Sequence, residues 1–177
     1  HRGYIVGGFI RDWLLGRQTN DIDIAVDGNA LSIAGDVAKE LGGRFVLLDE
    51  ANGIARVVIM RDCFATLAMT VNKEEWHLDF SSFSGDIESD LARRDFTINA
   101  MATELGQLKA SLPLELIDPF SGKKDLENRI VRAVTDQIFE ADAVRLLRAV
   151  RLAAELDFAI EPETESLIRR YSQSITK

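Results

Sequence analysis

Residues 4–26 read Y-I-V-G-G-F-I-R-D-W-L-L-G-R-Q-T-N-D-I-D-I-A-V, and no other stretch restricts the fold as much. Tyr4, Ile5 and Val6 make a short apolar run that stops at the pair Gly7-Gly8. Phe9, Ile10, Trp13 and Leu14 then follow helical spacing as far as Gly16, and Asp21-Ile22-Asp23-Ile24 opens a second strand. A strand, a glycine turn and a helix start together form a geometry that binds phosphate. The glycines let the backbone approach an anion, and the first helical N–H groups are free and carry the positive end of the dipole. Arg11, one turn in, adds a fork of donors. Residues two apart on a strand share a face, so Asp21 and Asp23 point one way and Ile22 and Ile24 the other. Two carboxylates side by side repel unless a cation lies between them, and an oxygen-loving ion such as Mg²⁺, shared with substrate phosphates, suits them. A Gly-Gly pair alone is an ordinary turn, and D-I-D alone can be a solvent-facing strand edge. Joined by one short helix, the two indicate nucleotide chemistry.

The rest of the chain alternates strands with helices. Asn29 is placed to cap a helix over 30–41, which Gly42-Gly43 ends. Residues 44–48 and 54–60 read as strands, while 63–71 fits either strand or helix. Residues 72–74 look like a hairpin tip, followed by a strand over 76–80. On that strand His77 and Asp79 face away from Trp76, Leu78 and Phe80. Asp79 is a candidate third carboxylate, able to take a hydroxyl proton or to complete a metal shell, or else a solvent-facing acid. His77 has no partner pattern for a metal and reads as structural or exposed. A short strand over 114–117 leads into the turn Asp118-Pro119-Phe120-Ser121-Gly122.

Two further stretches carry chemistry. Residues 86–104 read as a helix capped by Ser89, on which Arg94, Asp95 and Asn99 lie close together. Such a cluster can hold phosphates and a ribose hydroxyl, or be a plain intrahelical ion-pair group. Residues 138–156 read as one amphipathic helix bearing Asp142, Arg145, Arg148 and Arg151. At 3.6 residues per turn Asp142 and Arg145 are neighbours, whereas Arg151 falls nearly opposite. A carboxylate accepts from the exocyclic amine of cytosine or adenine and repels the carbonyl of guanine or uracil. An Asp–Arg pair can therefore select C and A without a template, or simply be a surface pair.

The runs G-G-F-I-R-D with D-I-D, then R-R-D-F-T-I-N-A, then D-P-F-S-G-K-K-D-L resemble three motifs of one family. It is the class II tRNA nucleotidyltransferases and bacterial poly(A) polymerases, within the DNA polymerase beta-like superfamily. The resemblance runs from Ile5 to about Leu156. It implies an α/β (α+β) fold: a catalytic head over 1–119 with a mixed sheet of about five strands, then an all-helical neck over 120–177 that precedes further RNA-binding helical domains. It also implies two Mg²⁺ ions on Asp21 and Asp23, with Asp79 as the third acid. Gly7, Gly8, Arg11, Arg94, Asp95 and Asn99 would take the nucleotide, with Asp142, Arg145, Arg148 and Arg151 on the neck. The implied reaction adds C, A or both from CTP and ATP to a tRNA 3′ end and releases pyrophosphate. Poly(A) polymerase, a CC-only enzyme, and a non-catalytic nucleotide- or RNA-binding module are the alternatives. The neck motif of the family is E-D-x-x-R, and here Ala141 precedes Asp142 with Glu140 displaced by one. The link 81–89 is short where A-adding members carry a longer connection, so the likeness speaks for transferase chemistry more firmly than for A addition.

Composition agrees with a folded chain of 177 residues, 46% hydrophobic and 28% charged. A net charge of −8 weighs mildly against a nucleic-acid partner, although the position of charge matters more than its sum and the C-terminal third carries an arginine row. One cysteine, Cys63, excludes an internal disulfide and fits a reducing cytoplasm. No apolar run approaches the roughly 20 residues of a membrane helix, and no signal peptide is visible.

Overall fold

The computed structural model describes residues 2–63, 72–106 and 115–172. Strand β1 (Gly3–Val6) passes through Gly7 into helix α1 (Gly8–Leu14), and β2 (Asp21–Val26) returns antiparallel beside β1. Helix α2 (Ala30–Leu41) follows, with Asn29 accepting the Ser32 N–H at 3.0 Å and Gly42 closing it at φ 63°. Strands β3 (Arg44–Asp49), β4 (Ile54–Cys63) and β5 (Asn72–Ser82) form an antiparallel set whose last member lies parallel to β2. After helix α3 (Ile87–Leu91) and a 3₁₀ turn (Thr97–Asn99), β6 (Ala102–Glu104) pairs with β1. The sheet order is β3-β4-β5-β2-β1-β6, six strands where about five were expected.

The alternation along β2, β4 and β5 gives this sheet two chemically distinct faces. Ile24, Val26, Ala55, Val57 and Phe80 cover one face, on which α2 lays Ala30, Ala34 and Ala38. Alanine at every fourth position lets the helix approach the sheet closely. The register pairs Asp21 with His77, Asp23 with Asp79, and Asp79 with Arg56, so a row of charge occupies the other face.

Beyond the sheet come α4 (Gly122–Glu127), β7 (Ile130–Val131), α5 (Ile138–Ala141), α6 (Val144–Leu156), β8 (Ala159–Ile160) and α7 (Pro162–Tyr171). β7 and β8 pair in parallel, so a region read as all-helical contains a small sheet. One apolar cluster joins Ile5, Ile10, Phe96 and Met101 to Val131, Phe139, Leu146 and Leu152. That shared core holds α6 against the motif 93–95.

Other expectations change in detail. The 86–104 helix ends at Leu91, and its cap is Asp86, which accepts the Ser89 N–H at 2.7 Å. Main-chain bonds from Thr97 N to Arg132 O and from Val134 N to Asp95 O draw the segment into an extended path. These tertiary bonds replace the helical ones, so Arg94, Asp95 and Asn99 come together on a turn instead of a helix. The 138–156 helix breaks at Asp142 (φ −156°, ψ 107°), whose carboxylate accepts the Val144 N–H at 2.9 Å. An Asp side chain that bonds its own backbone two residues on competes with helix continuation. Residues 72–74, read as a hairpin tip, are paired strand, with Cys63 opposite Asn72. Residues 64–71, and with them most of the ambiguous stretch, lie outside the described residues, as does Leu114. Ile117 makes a bridge to Ala102.

Candidate active site

A cleft of about 410 Å³ opens between the start of α1, the 93–99 turn and α6. Gly7, Gly8, Arg11 and Asp23 form its floor, with Arg93, Arg94, Asp95 and Asn99 on one wall. Asp142, Arg145, Arg148 and Arg151 come from the other side. Every residue expected to bind nucleotide therefore lines one cavity. Arg151 is among them, although regular helical winding put it nearly opposite. The helix breaks at Asp142, so regular winding does not connect Asp142 to Arg151. Six arginines face three aspartates here, which concentrates positive charge in a chain of net charge −8.

Asp21 lies just outside this cleft, in an adjoining depression that shares Gly8, Arg11 and Asp23 with it. Gly7 has φ 73° and ψ −139°, and its missing side chain keeps two groups close. A Cβ there would stand 2.7 Å from Asp23 Oδ2 and 2.8 Å from Arg94 Nη1. Burial pushes the Asp23 carboxyl above the usual carboxylate range; Asp79 and Asp21 add to the rise, while Arg94 and the Gly8 N–H oppose it.

Several partners were not legible beforehand. Arg56 grips Asp79 through two bonds, Nε to Oδ1 at 2.6 Å and Nη2 to Oδ2 at 2.7 Å. His77, read as structural or exposed, bridges Asp21 Oδ1 at 2.8 Å and Glu75 Oε1 at 2.9 Å. Those two bonds, Glu75 first and then Asp21, raise its pKa. Arg11 is buried and spends three donors inside the protein, two on Asp12 and one on Asn99 Oδ1 at 2.8 Å. Asn99 in turn donates to Asp95 Oδ1 at 3.3 Å. Arg145 Nη2 donates to the Arg93 carbonyl at 3.0 Å, whereas its Nε stands 4.0 Å from the Asp142 carboxylate. Arg148 Nε pairs with Asp95 Oδ2 at 2.8 Å. Glu140, the displaced acid, accepts a hydrogen bond from the Tyr171 hydroxyl, which commits it to α7. Arg11–Asp12, Asp95–Asn99, His77–Glu75 and Arg145–Asp142 are local in sequence, whereas the other contacts depend on a strand register or on two distant segments meeting.

Among the described residues no three of His, Cys, Asp and Glu form a metal cage. A two-carboxylate site still fits a divalent ion of the kind that completes its shell with substrate phosphates and water. The Asp23 carboxyl is raised chiefly by burial, with Asp79 and Asp21 adding to it, so its charged form lacks the solvation that a bound cation would replace.

Over residues 3–132 the chain matches the family described as the poly A polymerase head domain. The chain belongs to that family. The chain is 42% identical over 166 residues to a CC-adding tRNA nucleotidyltransferase of Geobacter sulfurreducens, covering 93% of the chain and 34% of the relative. It is 36% identical over 177 residues to an A-adding tRNA nucleotidyltransferase of Aquifex aeolicus, covering 96% of the chain and 20% of the relative. Among solved structures, the Thermotoga maritima CCA-adding enzyme complexed with tRNA superposes with a TM-score of 0.77 at 36% identity, over 98% of this chain and 38% of that one. The chain thus spans about a third of the length of the Geobacter relative. Nucleotidyltransferases of this family generally use divalent metal ions. Among the described residues no helix is long and apolar enough to cross a membrane.

Proposed function

We propose that this chain is the nucleotide-selecting part of a template-independent nucleotidyltransferase that extends the 3′ end of tRNA with C, A or both. One observation carries the proposal: Asp21 and Asp23 share a strand face beside a positively charged cleft floored by a glycine turn. The bond formed joins the RNA 3′ oxygen to the α-phosphorus of CTP or ATP, and the bond broken releases pyrophosphate. Asp21 and Asp23 would hold two Mg²⁺ ions. When bound, such ions lower the pKa of the attacking hydroxyl and neutralise charge on the leaving phosphates.

The protein's own groups do the positioning. The side-chain-free turn at Gly7 and Gly8 leaves room for the triphosphate, whose charge the guanidinium of Arg94 meets, while Asp95 and Asn99 meet the sugar. The buried Arg11 keeps two N–H donors beyond those it spends on Asp12 and Asn99. Asp142 accepts from the amine of C or A, and Arg145 donates to the ring acceptors. Arg148 and Arg151 add positive potential along the cleft. Each Asp79 oxygen keeps a lone pair beyond its bond to Arg56, but the paired guanidinium makes the carboxylate a weaker base for the hydroxyl proton. Residues 1–119 would be the catalytic head and 120–177 the beginning of the neck. A reducing cytoplasm suits the single Cys63.

The connection between β5 and α3 is four residues, 83–86, which favours C addition over A addition. A poly(A) polymerase would share every feature named so far. Incubating the full-length protein with Mg²⁺, tRNA lacking its 3′ CCA and labelled CTP or ATP separates the possibilities. Incorporation of C, with or without A, supports the proposal, and runs of A on any RNA favour a poly(A) polymerase. No incorporation of either nucleotide favours a binding module.

A further inference from the structure

Two contacts tie the turn 93–95 to helix α6. The Arg93 carbonyl accepts from Arg145, and the Asp95 carboxylate pairs with Arg148. Arg145 and Arg148 are one turn apart on the same helix, about 4.5 Å along its axis. Asp142 caps the first turn of that helix through Val144 N–H. Arg145 thus rides on α6, Asp142 is tied to the first turn of that helix from just outside it, and α6 is fastened to the residues proposed to meet the sugar.

Asp95 is only 6% exposed, and its other oxygen accepts from Phe96 N–H at 2.9 Å and from Asn99. A sugar hydroxyl that donates to this carboxylate must share it with Arg148. Arg148 Nε stands 2.8 Å from Oδ2 as an ion pair without hydrogen-bond alignment, so Oδ2 keeps a free acceptor site for a sugar hydroxyl while the guanidinium is held to it by charge, and a shift in the carboxylate acts on Arg148 through that attraction. Arg148 is half exposed, and α6 is held to the core by Leu146, Ala149 and Leu152 instead. Its removal therefore cuts the tie without removing what anchors the helix.

We infer that Arg148 is a positioning residue that couples recognition of the ribose to recognition of the base. This inference rests on the proposed function and deepens it. The nucleotide's sugar, once seated on Asp95 and Asn99, sets the helix that carries Arg145 and whose first turn Asp142 holds. Base discrimination should then be sharper for ribonucleotides than for deoxyribonucleotides.

The test is equilibrium binding of CTP, UTP, dCTP and dUTP to the intact protein, in Ca²⁺ to prevent turnover. In the parent, the CTP-over-UTP preference should exceed the dCTP-over-dUTP preference by at least about 5-fold, the lower end of ordinary coupling between sites. Arg148→Gln should bring the two preferences together, and Arg148→Lys, which keeps the charge, should restore part of the gap. A helix that merely lost stability would lower all four affinities and leave the gap intact. Equal preferences in the parent, or an unchanged gap in Arg148→Gln with a native melting curve, overturn the inference while leaving the proposed function standing. Absence of CTP and ATP binding altogether overturns both.

Discussion

Replacing Gly7 by alanine tests whether the glycine turn holds Asp23 and Arg94 in register. The new Cβ would lie 2.7 Å from Asp23 Oδ2 and 2.8 Å from Arg94 Nη1. Ordinary non-bonded contact begins near 3.5 Å, so both groups must retreat by about 0.7–0.8 Å. The backbone at φ 73°, ψ −139° is also essentially reserved for glycine. Holding another residue there costs about 1–3 kcal/mol. In a domain of this size each kcal/mol lowers the melting temperature by about 2–4 °C. Displacing a group in an active site by about 1 Å costs roughly 10²-fold in rate. Gly7→Ala should therefore melt several degrees lower and lose about two orders of magnitude in kcat/KM when assayed well below its melting temperature. Gly35→Ala is the control. It sits inside α2 with nothing near its Cβ position and should gain about 0.5–1 kcal/mol with unchanged activity. A Gly7→Ala protein that melts and turns over like the parent would refute the reasoning.

Three further outcomes follow from the same geometry. Asp23 is raised in the folded protein, so its stabilising effect is full below the usual carboxylate range and lost as pH rises through the raised value. In chelator, Asp23→Asn should melt above the parent at neutral pH, and the difference should vanish below about pH 4, which a series of thermal melts will show. Asp142→Asn carries both a donor and an acceptor, so discrimination of C and A against G and U should fall by about 1–3 kcal/mol in single-nucleotide incorporation. Gly122→Ala would place a Cβ 2.2 Å from the Thr97 carbonyl oxygen, a main-chain atom that cannot swing aside as a side chain can. A loss near 3 kcal/mol, the upper end for overpacking, should appear as a lower denaturant midpoint.

The legible part of this protein was local. Strand β1, the Gly7-Gly8 turn, α1 and the D-I-D strand stand where periodicity and turn chemistry put them, because each is decided by neighbours in sequence. The cap at Asn29 and the stop at Gly42 follow for the same reason. The site residues also meet in one cleft, although two of the helices thought to carry them are broken. At 86–104 long-range main-chain bonds to 132–134 outweighed helix propensity, and at Asp142 a side-chain cap did. Arg56 escaped notice because its link to Asp79 depends on the β4–β5 register, which no spacing within either strand reveals. His77 lacked a visible partner because Asp21 lies 56 residues away in sequence. The two short strands β7 and β8, two residues each, are too brief to leave a pattern.

The central claim is that Asp21 and Asp23 grip divalent ions beside a nucleoside triphosphate. Crystals grown with Mn²⁺ and a non-hydrolysable CTP analogue test it through anomalous scattering. The account predicts a metal peak touching oxygens of both aspartates and of the analogue's phosphates, with the triphosphate over Gly7 and Gly8. A bound analogue with no metal at this pair, or a metal held elsewhere, would contradict it.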